Sequence, residues 1–397
     1  MFKLLYILVI SFFFFILFSF SHIFYIFWSD YIFYIFWRWW YEWIKSSIVI
    51  LYWILFSIWL FIYFLKYKIN RKWNNFLIYI GIIIFLILIS TLLSIDFSGS
   101  IIWLSEKYEW FLYYLSLIIF FVSLYFWFEE KEYKKVLNYI FLFSLFLYLY
   151  GFIQYLWFDP LANLYNTRVE ITRASSFFWN ANYLAGYIVI LLPLSKFINN
   201  IYFRRIFIWI SLLSLLTTWS YFWIFLWVIY ILYIVKNFNK KIFIWLFVIF
   251  ISYSIFIWNS LWVEKKWSFL ARPFIWESSI LAIIDKPKTI LFWYWPDTLQ
   301  LIFNNFKVPE LSVYETSYYT ADRTNNIFLD LIYFFWFLWW WFIIFFIINW
   351  IKLSKNINIK LTIILFLIFF SFNIPVTIHF VLILFILSAI YNWNNLK

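Results

Sequence analysis

Long apolar stretches separated by short polar ones make up most of this chain, and the pattern predicts a bundle of membrane-spanning helices. Crossing a hydrocarbon core about 30 Å thick takes roughly 20 helical residues, and an open sheet would leave backbone polar groups unpaired in lipid. We therefore predict an all-α polytopic membrane bundle of about 12 transmembrane helices. The predicted spans are 4–27, 47–65, 76–95, 110–128, 136–156, 183–198, 204–219, 221–235, 242–258, 327–349, 361–374 and 376–391.

One polar stretch, residues 259–326, is far longer than the others and follows about nine of the predicted spans. A single long extramembrane loop inside a multi-span bundle favours a membrane enzyme that works at one face of the bilayer. It does not favour a soluble domain with an anchor. We divide the chain into N-terminal membrane helices (1–75) and a second membrane domain (76–397) that contains this loop.

Composition supports the membrane interpretation. The chain is 67% hydrophobic and 12% charged, and its mean hydropathy is +0.90. Soluble domains are about half apolar and about a quarter charged. The first apolar run shows no small-residue cleavage site, so we expect an uncleaved first helix. The chain has no cysteine, which excludes disulfides and thiolate metal sites.

The net charge of +12 orients the chain and does not require a nucleic-acid partner. Basic residues collect in alternate short loops, near 66–72, 196–205, 236–241 and 352–360, and the loops between them are neutral or acidic. Loop 259–326 holds seven basic and seven acidic residues. Cytoplasmic loops carry the excess of Lys and Arg, so we predict cytoplasmic termini and an extracytoplasmic loop 259–326.

Tryptophan is unusually abundant and glycine unusually scarce, with 30 Trp against 4 Gly. Gly averages about 7% of residues and is enriched in membrane helices. Some Trp stand where a turn wants φ > 0, such as Trp295 before Pro296, and Trp adopts that conformation poorly. We hypothesise that many Trp derive from a UGA codon that the source organism reads as glycine. The alternative is an aromatic-rich membrane protein with interfacial Trp belts.

Residues 173–194 carry the most informative motif. They read RASSFFWNANYLAGYIVILLPL. With Gly at 179, the segment resembles the O-antigen ligase/polymerase family, whose pattern is close to R-a-s-G-t-f-G-N-p-N-x-L-A-x-x-l-x-l-x-l-P. Ala181 stands where the family often has Pro. The matching residues are Arg173, Asn180, Asn182, Leu184, Ala185 and Pro193.

Three further stretches resemble the same family. SEKYEWFLYYLSLIIF (105–120) is similar to R-x-e-G-l-l-x-y-l, and PFIWESSILAIIDKPKTILFWYWPDT (273–298) to w-x-x-a-l-x-x-i-x-x-x-P-l-x-G-x-G-p-x-t. ADRTNNIFLDLIYFFWFLWW (321–340) is similar to D-R-x-H-N-x-x-L-d-l-l-x-x-x-G-l-x-G. Tryptophans fill several family glycine positions, which also favours recoding: Trp293, Trp295, Trp336 and Trp339.

The resemblance implies a glycosyltransferase of the cytoplasmic (inner) membrane. It would move a glycan from a polyprenyl-pyrophosphate carrier to a lipid, polysaccharide or protein acceptor at the outer face, with no metal and no cofactor. Arg side chains suit this chemistry because negative charge develops on the leaving pyrophosphate. The implied catalytic residues are Arg272, Asn325 and Asp322. The implied substrate-binding residues are Arg173, Asn180, Asn182, Arg323 and Asn326.

Two positions depart from the family. Asn325 stands where the family has His, and an amide cannot act as a base. Tyr221 follows Ser220 where the family commonly has Ser-Arg. A carboxylate could take the proton instead, and the sequence does not choose among Asp322, Glu277 and Asp285. These departures keep open a family member that only binds. The alternative from another class is a transporter or flippase for lipid-linked glycans, which the lack of a clear internal repeat and of charged residues at span centres disfavours.

Several polar residues also have purely structural interpretations. Arg272 and Arg173 could anchor at lipid headgroups, and Arg323 could pair only with its neighbour Asp322. Asp330 could simply solvate a helix mouth. The two histidines, His22 and His379, lie in or beside apolar spans, where we expect packing or interfacial roles.

Overall fold

The computed structural model describes part of the chain, and all regular structure in that part is helical. The predicted spans 221–235 and 242–258, most of 327–349, and His22, Asp322, Arg323 and Asn325 lie outside it. The described residues are 2–18, 48–58, 62, 75–92, 111–128, 130–156, 173–178, 180–218, 264–285, 299–314, 320–321, 324, 326, 328–330, 345, 347–349, 351–352, 354–371 and 377–394.

Most of the described α-helices coincide with predicted spans, which confirms the all-helical class. These are α1 (Phe2–Phe18), α2 (48–58), α3 (Asn75–Leu92), α4 (Phe111–Trp127), α5 (Glu130–Tyr155), α6 (Ala181–Leu191), α7 (Ile201–Thr217), α10 (Ile357–Phe370) and α11 (Thr377–Asn394). Two helices lie in the long polar stretch, α8 (Glu264–Ile284) and α9 (Leu299–Phe306). Short 3₁₀ turns occupy Ser176–Phe178, Leu192–Phe197 and Pro309–Val313.

Within the described part, α5 alone is both long and apolar enough to cross a membrane by length and composition. It begins six residues before the predicted span, because the charged stretch EKEYKK is helical too. Glu130 and Lys134 form an i,i+4 ion pair there, and such pairs favour helix. Shorter apolar helical stretches of 10–17 residues occur in α1, α2, α3, α4, α6, α10 and α11.

One hydrophobic core joins the N-terminal helices to the rest of the bundle. Phe12 of α1 meets Phe120 of α4 with ring centroids 4.8 Å apart. Phe385 of α11 contacts Phe13 of α1 and Tyr133 of α5, at 5.4 and 5.2 Å. The helices are therefore held together by large aromatic side chains, which bury much apolar area each.

The outward surfaces of the same helices are also apolar. Phe85 on α3 is 59% exposed, Phe146 on α5 is 56% exposed and Trp209 on α7 is 64% exposed. A helix of a water-soluble bundle puts polar residues on its outer face, and a helix that is apolar all round belongs in a core or a membrane. These helices are thus apolar towards both the core and the surroundings.

Consecutive helices run in opposite directions, so each end of the bundle holds the C-termini of some helices and the N-termini of others. Two residues separate α4 from α5, and three separate the 3₁₀ extension of α6 from α7, so each pair runs antiparallel. We call one end the site end; it holds the C-termini of α5 and α7, the segment 173–180 and the N-termini of α6 and α11. The opposite, basic end carries Lys131, Lys134, Lys135, Lys196, Arg204, Arg205, Lys352, Lys355 and Lys360.

The described parts of the long polar stretch pack at the site end. Its helices α8 and α9 and the turn Pro309–Val313 form a second apolar cluster. That cluster includes Ile87 near the C-terminus of α3, and Phe111 and Tyr114 at the N-terminus of α4 pack against it. The described parts of 259–326 therefore supply packed structure at this end of the bundle.

Candidate functional site

Arg173 is the centre of a hydrogen-bonded cluster at the site end. Its side chain is buried, with 8% exposure. Nε donates to the Thr218 carbonyl at 2.8 Å, and Nη2 donates to Oδ1 of Asn182, also at 2.8 Å. Thr218 follows the last turn of α7, where backbone carbonyls lack helical partners. The guanidinium therefore ties the end of α7 to the start of α6.

Asn180 and Asn182 stand together at the N-terminus of α6. Asn180 has an extended backbone, with φ −129° and ψ 128°, and its Oδ1 accepts from the Asn182 N–H at 2.8 Å. Asn is a favoured residue at this capping position. Because Oδ1 of Asn182 faces Arg173, the Nδ2 donors of that amide are directed away from the guanidinium. The structure thus brings together three residues that the motif singled out.

The turn before Asn180 is supported by α5. Ser176 has φ 50°, in the left-handed region, and it stands at a glycine position of the family pattern. Its N–H donates to Oε1 of Gln154 at 2.7 Å, and its Oγ donates to the Leu147 carbonyl at 2.8 Å. Gly151 lies beneath, where an added Cβ would meet the Cβ of Ser176 at 3.5 Å. Ser176 was not among the predicted site residues, although it stands at a glycine position of the pattern that the segment resembles.

His379 approaches the same site from α11. It is fully buried, and its Nε2 lies 3.2 Å from the carbonyl oxygen of Tyr183 in the first turn of α6. Its ring centroid lies 6.2 Å from that of Phe178 and 6.4 Å from that of Tyr183. This burial agrees with the expected packing role and not with the interfacial one. The bond to Tyr183 also gives His379 a specific partner.

Arg272 lies on α8, half-buried and followed by Pro273 inside the helix. The surrounding loop is held by two contacts. Ser278 Oγ accepts from the Val308 N–H at 3.1 Å, and the Phe274 ring stacks on Tyr314 with centroids 5.4 Å apart. Arg272 therefore belongs to a helix whose neighbouring residues are packed against the rest of the loop. Two of the proposed substitute bases, Glu277 and Asp285, are exposed.

The segment around 324–330 is shaped by a buried carboxylate. Asp330 is 2% exposed, and its Oδ1 accepts from the Thr324 N–H at 3.0 Å and from Thr324 Oγ1 at 2.8 Å. Asn326 Oδ1 accepts from the N–H groups of Phe328 and Leu329, at 2.9 and 3.3 Å. That oxygen therefore serves as a helix cap. Asp330 lies at a helix N-terminus, as expected, and its carboxylate also fixes the backbone at Thr324 by hydrogen bonds.

Comparison of the chain with protein-family models, with curated proteins and with solved structures gave no match. The resemblance to the O-antigen ligase/polymerase family therefore rests on the motif residues of this chain.

Proposed function

We propose that this chain is a membrane glycosyltransferase of the O-antigen ligase type. It moves a glycan from a polyprenyl-pyrophosphate carrier to an acceptor on the outer face of the cytoplasmic membrane. The observation that carries the proposal is the hydrogen-bonded cluster that Arg173, Asn182 and Asn180 form at one end of the bundle. The motif from which the resemblance was drawn is thus also a spatial cluster.

The proposed setting is a bilayer crossed by about 12 helices, with the site end outside. The apolar outer surfaces of the described helices support this setting, since lipid is the solvent that accepts them. Charge supports the orientation. Among described side chains, the basic end carries nine Lys and Arg against Glu130 and Glu132, whereas the site end carries Arg173, Arg272 and Lys307 against Glu277, Asp285, Glu310 and Asp330. Excess Lys and Arg mark the cytoplasmic side.

The proposed reaction needs donors for the pyrophosphate and a base for the acceptor. The acceptor hydroxyl oxygen attacks the anomeric carbon, the bond from that carbon to pyrophosphate oxygen breaks, and polyprenyl pyrophosphate leaves. Arg272 stabilises the charge on the leaving group, as bidentate guanidinium donors do. Arg173 acts through Asn182 by fixing the direction of its amide donors. The hydroxyl proton goes to a carboxylate, for which Asp322, Glu277 and Asp285 are the candidates.

Reconstitution in vesicles tests the proposal. The purified chain is supplied with a polyprenyl-pyrophosphate-linked glycan and with lipid, polysaccharide and protein acceptors in turn. Removing one preorganised donor commonly lowers a rate about 100-fold to 1000-fold, so we expect Asn182→Ala to lower transfer at least tenfold. Arg205→Lys, on an exposed residue at the basic end, is the matched control and should leave transfer unchanged.

Three outcomes would count against the proposal. Full transfer by Asn182→Ala would remove the cluster from the site. An inert parent whose activity returns with Asn325→His would identify a decayed enzyme, because imidazole supplies the missing base. An inert parent that nevertheless moves the lipid-linked glycan across the vesicle bilayer would identify a flippase.

A further inference from the structure

We propose that His379 is a positioning residue for the Asn180–Asn182 site. From the first turn of the last helix it holds the start of α6 and the preceding turn in place. The proposal concerns the site of the proposed transfer, but the contact itself can be tested without any transfer reaction.

The chemistry of the contact fixes which role His379 can take. A backbone carbonyl only accepts hydrogen bonds, so the Nε2 atom 3.2 Å from the Tyr183 carbonyl carries the proton in that bond. That nitrogen is then a donor, and only Nδ1, buried with the rest of the side chain, could accept a proton. Complete burial of the side chain also separates it from an acceptor arriving from outside. His379 is therefore placed to orient the site and not to replace the absent family histidine.

The His379–Tyr183 contact lies beside the residues of the site, so it can influence their positions. Tyr183 directly follows Asn182, whose side chain receives the Arg173 donor. On the other side, the His379 ring lies near Phe178, the last residue of the turn Ser176–Phe178. The Asn180 N–H donates to the Phe178 carbonyl at 2.7 Å. One side chain of α11 thus touches both flanks of Asn180, and α11 must be docked for the flanks to be fixed.

A thiol-labelling experiment measures this fixing directly. The chain has no cysteine, so Phe177→Cys introduces a single reporter in the Ser176–Phe178 turn, where Phe177 is half-buried. Its labelling by a membrane-impermeant maleimide is followed in vesicles. Against this background we compare His379→Gln, which keeps an N–H donor the same number of bonds from Cα, and His379→Leu, which has none. Ser388→Ala is the control, because that buried hydroxyl on α11 bonds only its own helix, at Phe385.

The expected result is a faster reaction of the reporter in His379→Leu by about threefold to tenfold, the effect of losing one interhelical hydrogen bond. His379→Gln and Ser388→Ala should label at the parent rate. Equal rates for the Leu and Gln variants, or an unchanged rate for Leu, would overturn the proposal. If His379→Leu does not insert, His379→Gln still tests the proposal. Labelling of Phe177→Cys in the Gln variant at the rate of a fully exposed thiol would contradict a donor role.

Transfer assays on the same variants separate this proposal from the proposed function. If the parent transfers glycan, His379→Leu should lower the rate at saturating donor and Gln should restore it. If the parent is inert with every acceptor while the labelling pattern holds, the positioning role stands and the transferase assignment fails. If transfer is active but indifferent to both variants, the positioning role fails and the assignment stands.

Discussion

Substitution of Ser176 tests the turn that supports the site. Its φ of 50° costs an ordinary residue about 1–2 kcal/mol relative to glycine. Ala loses the Oγ bond to the Leu147 carbonyl, worth about 1 kcal/mol, and keeps the strain. Gly loses the same bond and relieves the strain, at an entropic cost of about 0.5–1 kcal/mol. We therefore expect Ser176→Gly to be more stable than Ser176→Ala by about 0.5–1 kcal/mol.

Ser211 supplies the matched control. It is a fully buried serine on α7 whose Oγ donates to the Phe207 carbonyl at 2.6 Å, so both substitutions lose a similar bond. In a helix interior Gly is about 1 kcal/mol worse than Ala, and the order of the two variants should reverse. Unfolding of the detergent-solubilised protein in mixed micelles with increasing SDS measures the four variants. If Ala were more stable than Gly at both positions, the left-handed turn at Ser176 would be refuted.

The remaining predictions address orientation, chemistry and coding. A reporter fused within 300–315 should be active only outside the cytoplasm and one fused near residue 70 only inside, because basic loops stay in the cytoplasm; the reverse pattern would overturn the orientation. Arg272→Lys should strongly lower the rate of transfer while membrane insertion stays normal, because Lys lacks the planar guanidinium fork. Unchanged transfer would support the alternative that Arg272 only anchors at lipid headgroups. The intact mass of the native protein should fall below that of the printed sequence, and an equal mass would refute recoding.

Helix placement could be predicted from the sequence because it depends on local apolar runs. Each run of α1–α7, α10 and α11 contains enough apolar residues to signal a helix by itself. The helices of the long loop were not predicted, since polar residues interrupt their apolar positions. In α9, for example, Leu299 and Phe303 are buried while Asn304 and Asn305 are exposed.

The site was predictable only in part, for a reason of chain separation. Arg173, Asn180 and Asn182 lie within ten residues, so their motif could be read along the chain. His379 reaches Tyr183 across 196 residues, and Arg173 reaches Thr218 across 45. No periodicity encodes such contacts, because they arise when helices that are remote in sequence pack side by side. The Asp330–Thr324 hydrogen bond spans fewer residues but was equally unpredictable, because it depends on how the backbone turns between them.

The turn before α6 connects the structure to the coding hypothesis. Two family glycine positions fall in it, 176 and 179, occupied here by Ser176 and Trp179. At the first of them the backbone adopts the left-handed conformation that favours glycine. The second, position 179, lies outside the described residues, between Phe178 and Asn180. If UGA is read as glycine, peptide mapping should find glycine at 179, 293 and 295, which are glycine positions of the pattern that the chain resembles, whereas tryptophan at all three would refute the recoding hypothesis at these positions.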